Sequence, residues 1–184
     1  MTYVGAGAAG GIVALGVAGY ITGVTEWTTL GNKVQVSGSS LLFLSLLSYI
    51  AWRSVRDEHF SWWAVPVAFF AWLGAMMRVT DIGIWNLHPL LNIASFAAMG
   101  CFALVAWGIV FRNPPVARAV PLALAIGIAS VSAMAHWPEL VSRTMLGHQF
   151  MSLPSAVGII FLATGMLIDM GAKPFRGWRE LFPV

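Results

Sequence analysis

MSLPSAVGIIFLATGMLIDMG, residues 151–171, holds a single ionisable side chain, Asp169, close to its end. A mostly apolar run of about 20 residues is what an α-helix needs to cross a hydrocarbon core about 30 Å thick. Five more runs follow the same pattern: 4–24, 36–52, 60–77, 89–111 and 119–137. The second and third are the shortest. Connections are brief, with no linker, low-complexity tract or internal repeat. The expected fold is an all-α integral membrane protein, a compact bundle of about six transmembrane helices. It forms a single transmembrane domain over 1–184, of which 172–184 is a short cytoplasmic interfacial tail.

Composition excludes the water-soluble alternatives. The chain is 59% hydrophobic and 9% charged, with a mean hydropathy of +0.81. Soluble domains carry roughly 25% charged residues, so this one lacks the polar surface to face water all round. The net charge of +3 comes without a basic cluster that could follow a phosphate backbone, which argues against nucleic acid as a partner. Cys101 is the lone cysteine and sits in an apolar run, so no disulfide or cysteine metal cage is expected. The start, Met-Thr-Tyr-Val-Gly, lacks a basic segment and a clear cleavage site, and reads as a retained first span.

Lysine and arginine set the expected orientation. Arg53, Arg56, Arg112, Arg118, Lys173, Arg176 and Arg179 follow the even-numbered spans or lie in the tail, against Lys33, Arg78 and Arg143 on the other side. Positive residues favour the cytoplasm, so both termini are expected there, in an inner (plasma) membrane. Trp27, Trp52, Trp62, Trp85, Trp137 and Trp178 fall near predicted span ends, as an aromatic belt requires. Pro89, Pro121 and Pro154 lie near the starts of their spans, where a missing N–H is harmless. Pro138 ends the fifth span, and 138–146 reads as a short interfacial helix closed by Gly147 and carrying the Glu139–Arg143 pair. The first run contains Gly7-x3-Gly11 and Gly19-x3-Gly23, a spacing that lets helices approach backbone to backbone. Packing within the bundle is the expected use; contact with another subunit is the alternative.

Chemistry-bearing residues collect on the outward side. No charge falls in the middle of a span, which counts against proton pumps and ion-coupled transporters. His88, His136 and His148 lie at or near span ends there, while His59 is cytoplasmic. His88, Asn92 and Ser95, and likewise His148, Ser152 and Ser155, follow i, i+4, i+7; Ser132 precedes His136 by four. Helical spacing would put each set on one face and so line a shallow polar pocket. His88, His136 and His148 with Asp81 form a candidate set for copper or zinc. Two imidazoles could instead ligate a haem b iron, and His88, Asn92, His136 and His148 could hold a quinone head group. The competing reading is interfacial histidines that only hydrogen-bond or anchor. Arg78 and Asp81 are expected to form a surface ion pair, the methionines to fill gaps, and Cys101 to be a small buried hydrophobe. Ser130, Ser132 and Ser155 lack a nucleophile context.

These features favour a structural or cofactor-supporting subunit of a larger inner-membrane complex, redox or photosynthetic in kind, surrounded by membrane lipid and partnered by other membrane subunits or by copies of itself. A stand-alone small-solute transporter or channel ranks second, and a metal- or haem-dependent membrane enzyme third. The order leans away from enzymatic activity.

Overall fold

A computed structural model describes residues 1–30, 35–79, 94–111, 115–136 and 151–171. Among them every regular element is helical. Helix α1 spans Thr2–Thr22, and a short α2 covers Thr25–Thr29. Next come α3, Gly38–Ser54, a 3-10 turn at Glu58–Trp63, and α4, Ala64–Val79. The last three are α5, Phe96–Val110, α6, Pro115–Met134, and α7, Leu153–Gly171. Each of the six apolar runs therefore contains a helix. Four stretches are long and apolar enough to cross a membrane: Thr2–Thr22, Glu58–Met77, Pro115–Met134 and Leu153–Met170.

The helix boundaries follow from local chemistry. Gly23 takes φ +75°, the left-handed conformation that ends a helix without a Cβ penalty, and so terminates α1. Ser37 starts α3 by accepting from the Ser40 N–H at 3.2 Å, and Ser95 starts α5 by accepting from the Ala98 N–H at 3.3 Å. Pro115, not Pro121, opens α6; Pro121 lies inside the helix and removes one ladder donor there. The expected interfacial helix at 138–146 and tail at 172–184 lie outside the described residues, as do Pro89, Trp85, Trp137 and Trp178.

Helices α1, α7, α6, α5 and α3 pack in sequence around a common core, and α4 lies against α5. Leu44, Leu47, Phe102, Val105, Ile159, Leu162 and Met166 fill the interior with at most 1% exposure. The Phe43 and Phe102 rings stack at 5.6 Å. Leu44 is received by the missing side chain of Gly158, and Leu122 by that of Gly108. Outside, Trp62, Trp63, Phe69, Phe70 and Trp72 are all more than half exposed. Water would not tolerate an apolar patch of that extent, whereas lipid solvates it. The apolar helices and apolar exterior mark a membrane protein.

The glycine pairs divide in an unexpected way. Gly19 packs inside the chain, against Thr28, Trp27 and Val24, while Gly23 serves as the cap. Gly7 and Gly11 meet nothing within 4 Å of where a Cβ would stand. The close helix approach occurs instead at Gly5, where a Cβ would collide with the Phe161 carbonyl oxygen of α7. A Cβ on Gly165 would likewise lie 2.9 Å from the Met1 carbonyl oxygen and 3.1 Å from the Gly5 Cα. The expected intrachain role of Gly7-x3-Gly11 is thus corrected: that face points away from the helix that crosses α1.

Candidate functional site

Hydrogen bonds between helix ends sort the bundle into two ends. The end of α1 meets the start of α3, where the Tyr20 hydroxyl donates to the Val36 carbonyl. The starts of α3 and α5 meet where the Ala94 N–H donates to Ser39 Oγ at 2.7 Å. The end of α6 meets the start of α7 where His136 Nε2 lies 2.7 Å from the Met151 carbonyl oxygen. This is the serine end. At the opposite end, Asp169 of α7 holds the start of α1, with Arg53, Arg56 and Arg118 on neighbouring segments. This is the arginine end.

His136 is the one sequence-predicted site residue that lies among the described residues. A carbonyl can only accept, so Nε2 carries the proton of this bond, and in the neutral tautomer the lone pair is then on Nδ1. The ring is half-buried, one turn beyond the buried Ser132 on α6. Across the junction Ser152 and Ser155, 7% and 0% exposed, pair hydroxyl to hydroxyl at 2.8 Å. His88, Asn92, His148 and Asp81 lie outside the described residues, as do Glu139, Arg143 and the Arg78 side chain. Among the described residues no group of three or more His, Cys, Asp or Glu side chains is placed to hold a metal ion.

The polar stripes of the sequence are corrected in part. Ser95 has extended backbone (ψ 157°) and caps α5 instead of lying on its face. Ser152 precedes the first residue of α7, and its carbonyl accepts the Ala156 N–H at 3.0 Å. Neither stripe therefore runs along one continuous helix; the Ser95 hydroxyl satisfies a free amide of the first turn of α5, while Ser152 serves α7 through its backbone carbonyl. Cys101 is fully buried, its thiol 3.6 Å from the Ala125 carbonyl oxygen, as a small core residue would be. His59 is exposed at the arginine end, where its N–H donates to Asp57 Oδ1 at 3.0 Å.

One functional contact escaped the sequence reading altogether. Helix α1 has no local side-chain cap, and Asp169 supplies one from α7, accepting the Thr2 N–H at 2.7 Å through Oδ2. Its Oδ1 lies 2.5 Å from the Met1 amine. A carboxylate beside a helix N-terminus is stabilised by the free amides and the positive end of the helix dipole. The available signal was Asp169 as the lone charge of its run, but nothing local names a partner 167 positions away.

Comparison with protein-family models, curated proteins and solved structures finds no match to this chain.

Proposed function

We propose that this chain is an integral membrane subunit of a larger inner-membrane complex, in a structural or cofactor-supporting role. In this reading six helices span the bilayer, the 15-residue α5 being the shortest of them. The arginine end and both termini face the cytoplasm, and the serine end faces outward. The distribution of lysine and arginine supports that orientation.

The observation that carries the reading is the His136 ring. Its Nε2–H is committed to a backbone carbonyl, which in the neutral ring places the lone pair on Nδ1. Histidines that support metals are oriented in the same way, one ring nitrogen on a carbonyl and the other on the ligand. The buried polar side chains among the described residues are all serine or threonine. They hydrogen-bond without titrating, which suits holding a group in place better than relaying protons.

The test is to purify the tagged chain from its native membrane in mild detergent. Co-purifying membrane subunits, with stoichiometric metal or an absorption band lost in His136→Phe, are the expected result. A chain that elutes alone, monodisperse, without metal or chromophore would overturn the reading.

A further inference from the structure

Helices α1 and α3 touch at the serine end and part toward the arginine end. A Cβ on Gly16 would meet Leu41 at 2.7 Å, but Gly7 and Gly10 have open space above them. A groove of about 300 Å³ lies between the two helices along this stretch. Gly7 and Gly10 form its floor, Ser48 one wall, and Tyr3, Tyr49 and Trp52 its aromatic margin. Ser48 is 5% exposed and its Oγ has no hydrogen-bond partner among the described residues. The guanidinium of Arg56 stands over the Trp52 ring, 5.9 Å from its centroid.

We propose that this groove binds one anionic glycerophospholipid, its acyl chain over Gly7 and Gly10, an ester carbonyl on the Ser48 hydroxyl and its phosphate on Arg56. The inference rests on the membrane setting and on the orientation proposed above, not on the proposed role within a complex. Three observations fix the occupant. Ser48 and Trp52 are one helical turn apart, about 6 Å along the axis, and a glycerol backbone separates phosphate from ester carbonyl by a comparable length. A buried hydroxyl left unsatisfied is costly in an apolar setting, and an ester carbonyl is the acceptor that a lipid brings to that depth. The Arg56 cation stands over Trp52, which lines the groove, while Asp57 and Asp169 are already engaged by the His59 backbone N–H and by the start of α1. Basic residues at a span end facing the cytoplasm attract anionic headgroups. A transmembrane helix is about 10–12 Å wide with its side chains, too wide for a slot between two helices that touch a few turns away.

A second groove gives the internal control. Between α5 and α6, about 330 Å³ is lined by Trp107, Phe111, Val120, Pro121 and Leu124 among other apolar side chains, with no charged or hydroxyl group.

Native mass spectrometry of the full chain, exchanged into mixed micelles of phosphatidylglycerol and phosphatidylcholine, tests the assignment. One phosphatidylglycerol should be retained over phosphatidylcholine by about fivefold, the attraction of one surface arginine. Arg56→Gln should abolish the preference while leaving a lipid bound, and Ser48→Ala should weaken retention of both lipids. Gly7→Leu should displace the lipid, and Leu124→Trp in the second groove should change nothing. Equal retention of the two lipids by the unaltered chain would overturn the proposal, as would a preference that survives Arg56→Gln. A dimer that Gly7→Leu dissociates would assign the groove to a second copy and overturn it too. If Gly7→Leu fails to fold, the Arg56 and Ser48 variants decide the matter.

Discussion

Gly5 and Gly7 are two residues apart on the same helix, yet they meet opposite surroundings. Gly5 is pressed against α7, carbonyl and Cα of one helix touching Cα of the other. Gly7 looks into a groove with nothing within 4 Å. Two residues turn a helix through about 200°, so the two positions lie on nearly opposite faces. One face of α1 is a seam and the other an opening. A small residue in a membrane helix permits close approach, but the helix lying across it decides whether that approach happens.

The contrast is easiest to break at Gly5. Gly5→Leu must push α1 off α7, and overpacking of this kind costs about 1–3 kcal/mol or more. The expected result is a large drop in thermal stability in detergent micelles; an unchanged midpoint would show that the seam is not tight. Next in size is Asp169→Asn, which keeps an acceptor for the Thr2 N–H but removes the charge. The loss should be about 1 kcal/mol, since the carboxylate is only partly buried. Hydrogen exchange should read it out as faster exchange confined to the first turn of α1. His136→Phe acts at the far end of α7, away from both faces of α1. Deleting its bond to Met151 should cost about 0.5–1.5 kcal/mol and leave exchange at the start of α1 unaltered. The smallest effect belongs to Gly7→Leu, within about 0.5 kcal/mol of the unaltered chain in stability. Its effect should be confined to lipid retention, which sharpens the comparison with Gly5→Leu most directly.

The helices were legible because lipid imposes a strong rule: about 20 apolar residues for each crossing. Run 151–171 became α7 with its start displaced by only two residues, and run 4–24 became α1 with a shift of the same size. The finer signals failed where one residue type has two uses. Serine can line a helix face or cap a helix: Ser95 caps α5, and Ser152 stands just before α7 with its hydroxyl on Ser155. Glycine can pack or end a helix, and in Gly19-x3-Gly23 it does one of each. Of the candidate site, the sequence pointed to His136 at the end of α6, but its bond to Met151 depends on how two helix ends meet. The groove beside Ser48 was equally hidden, because it depends on the angle at which α1 and α3 part.

The reach of Asp169 back to Thr2 also has a meaning in time. A ribosome adds about 5–20 residues per second, so Asp169, 167 positions after Thr2, follows it by about 8–33 s. Throughout that interval α1 lacks the Asp169 cap and the α7 surface that covers Gly5. Helix α1 is thus made well before the residue that caps it, and a chain truncated before α7 would lack both the Asp169 cap and the Gly165 contact.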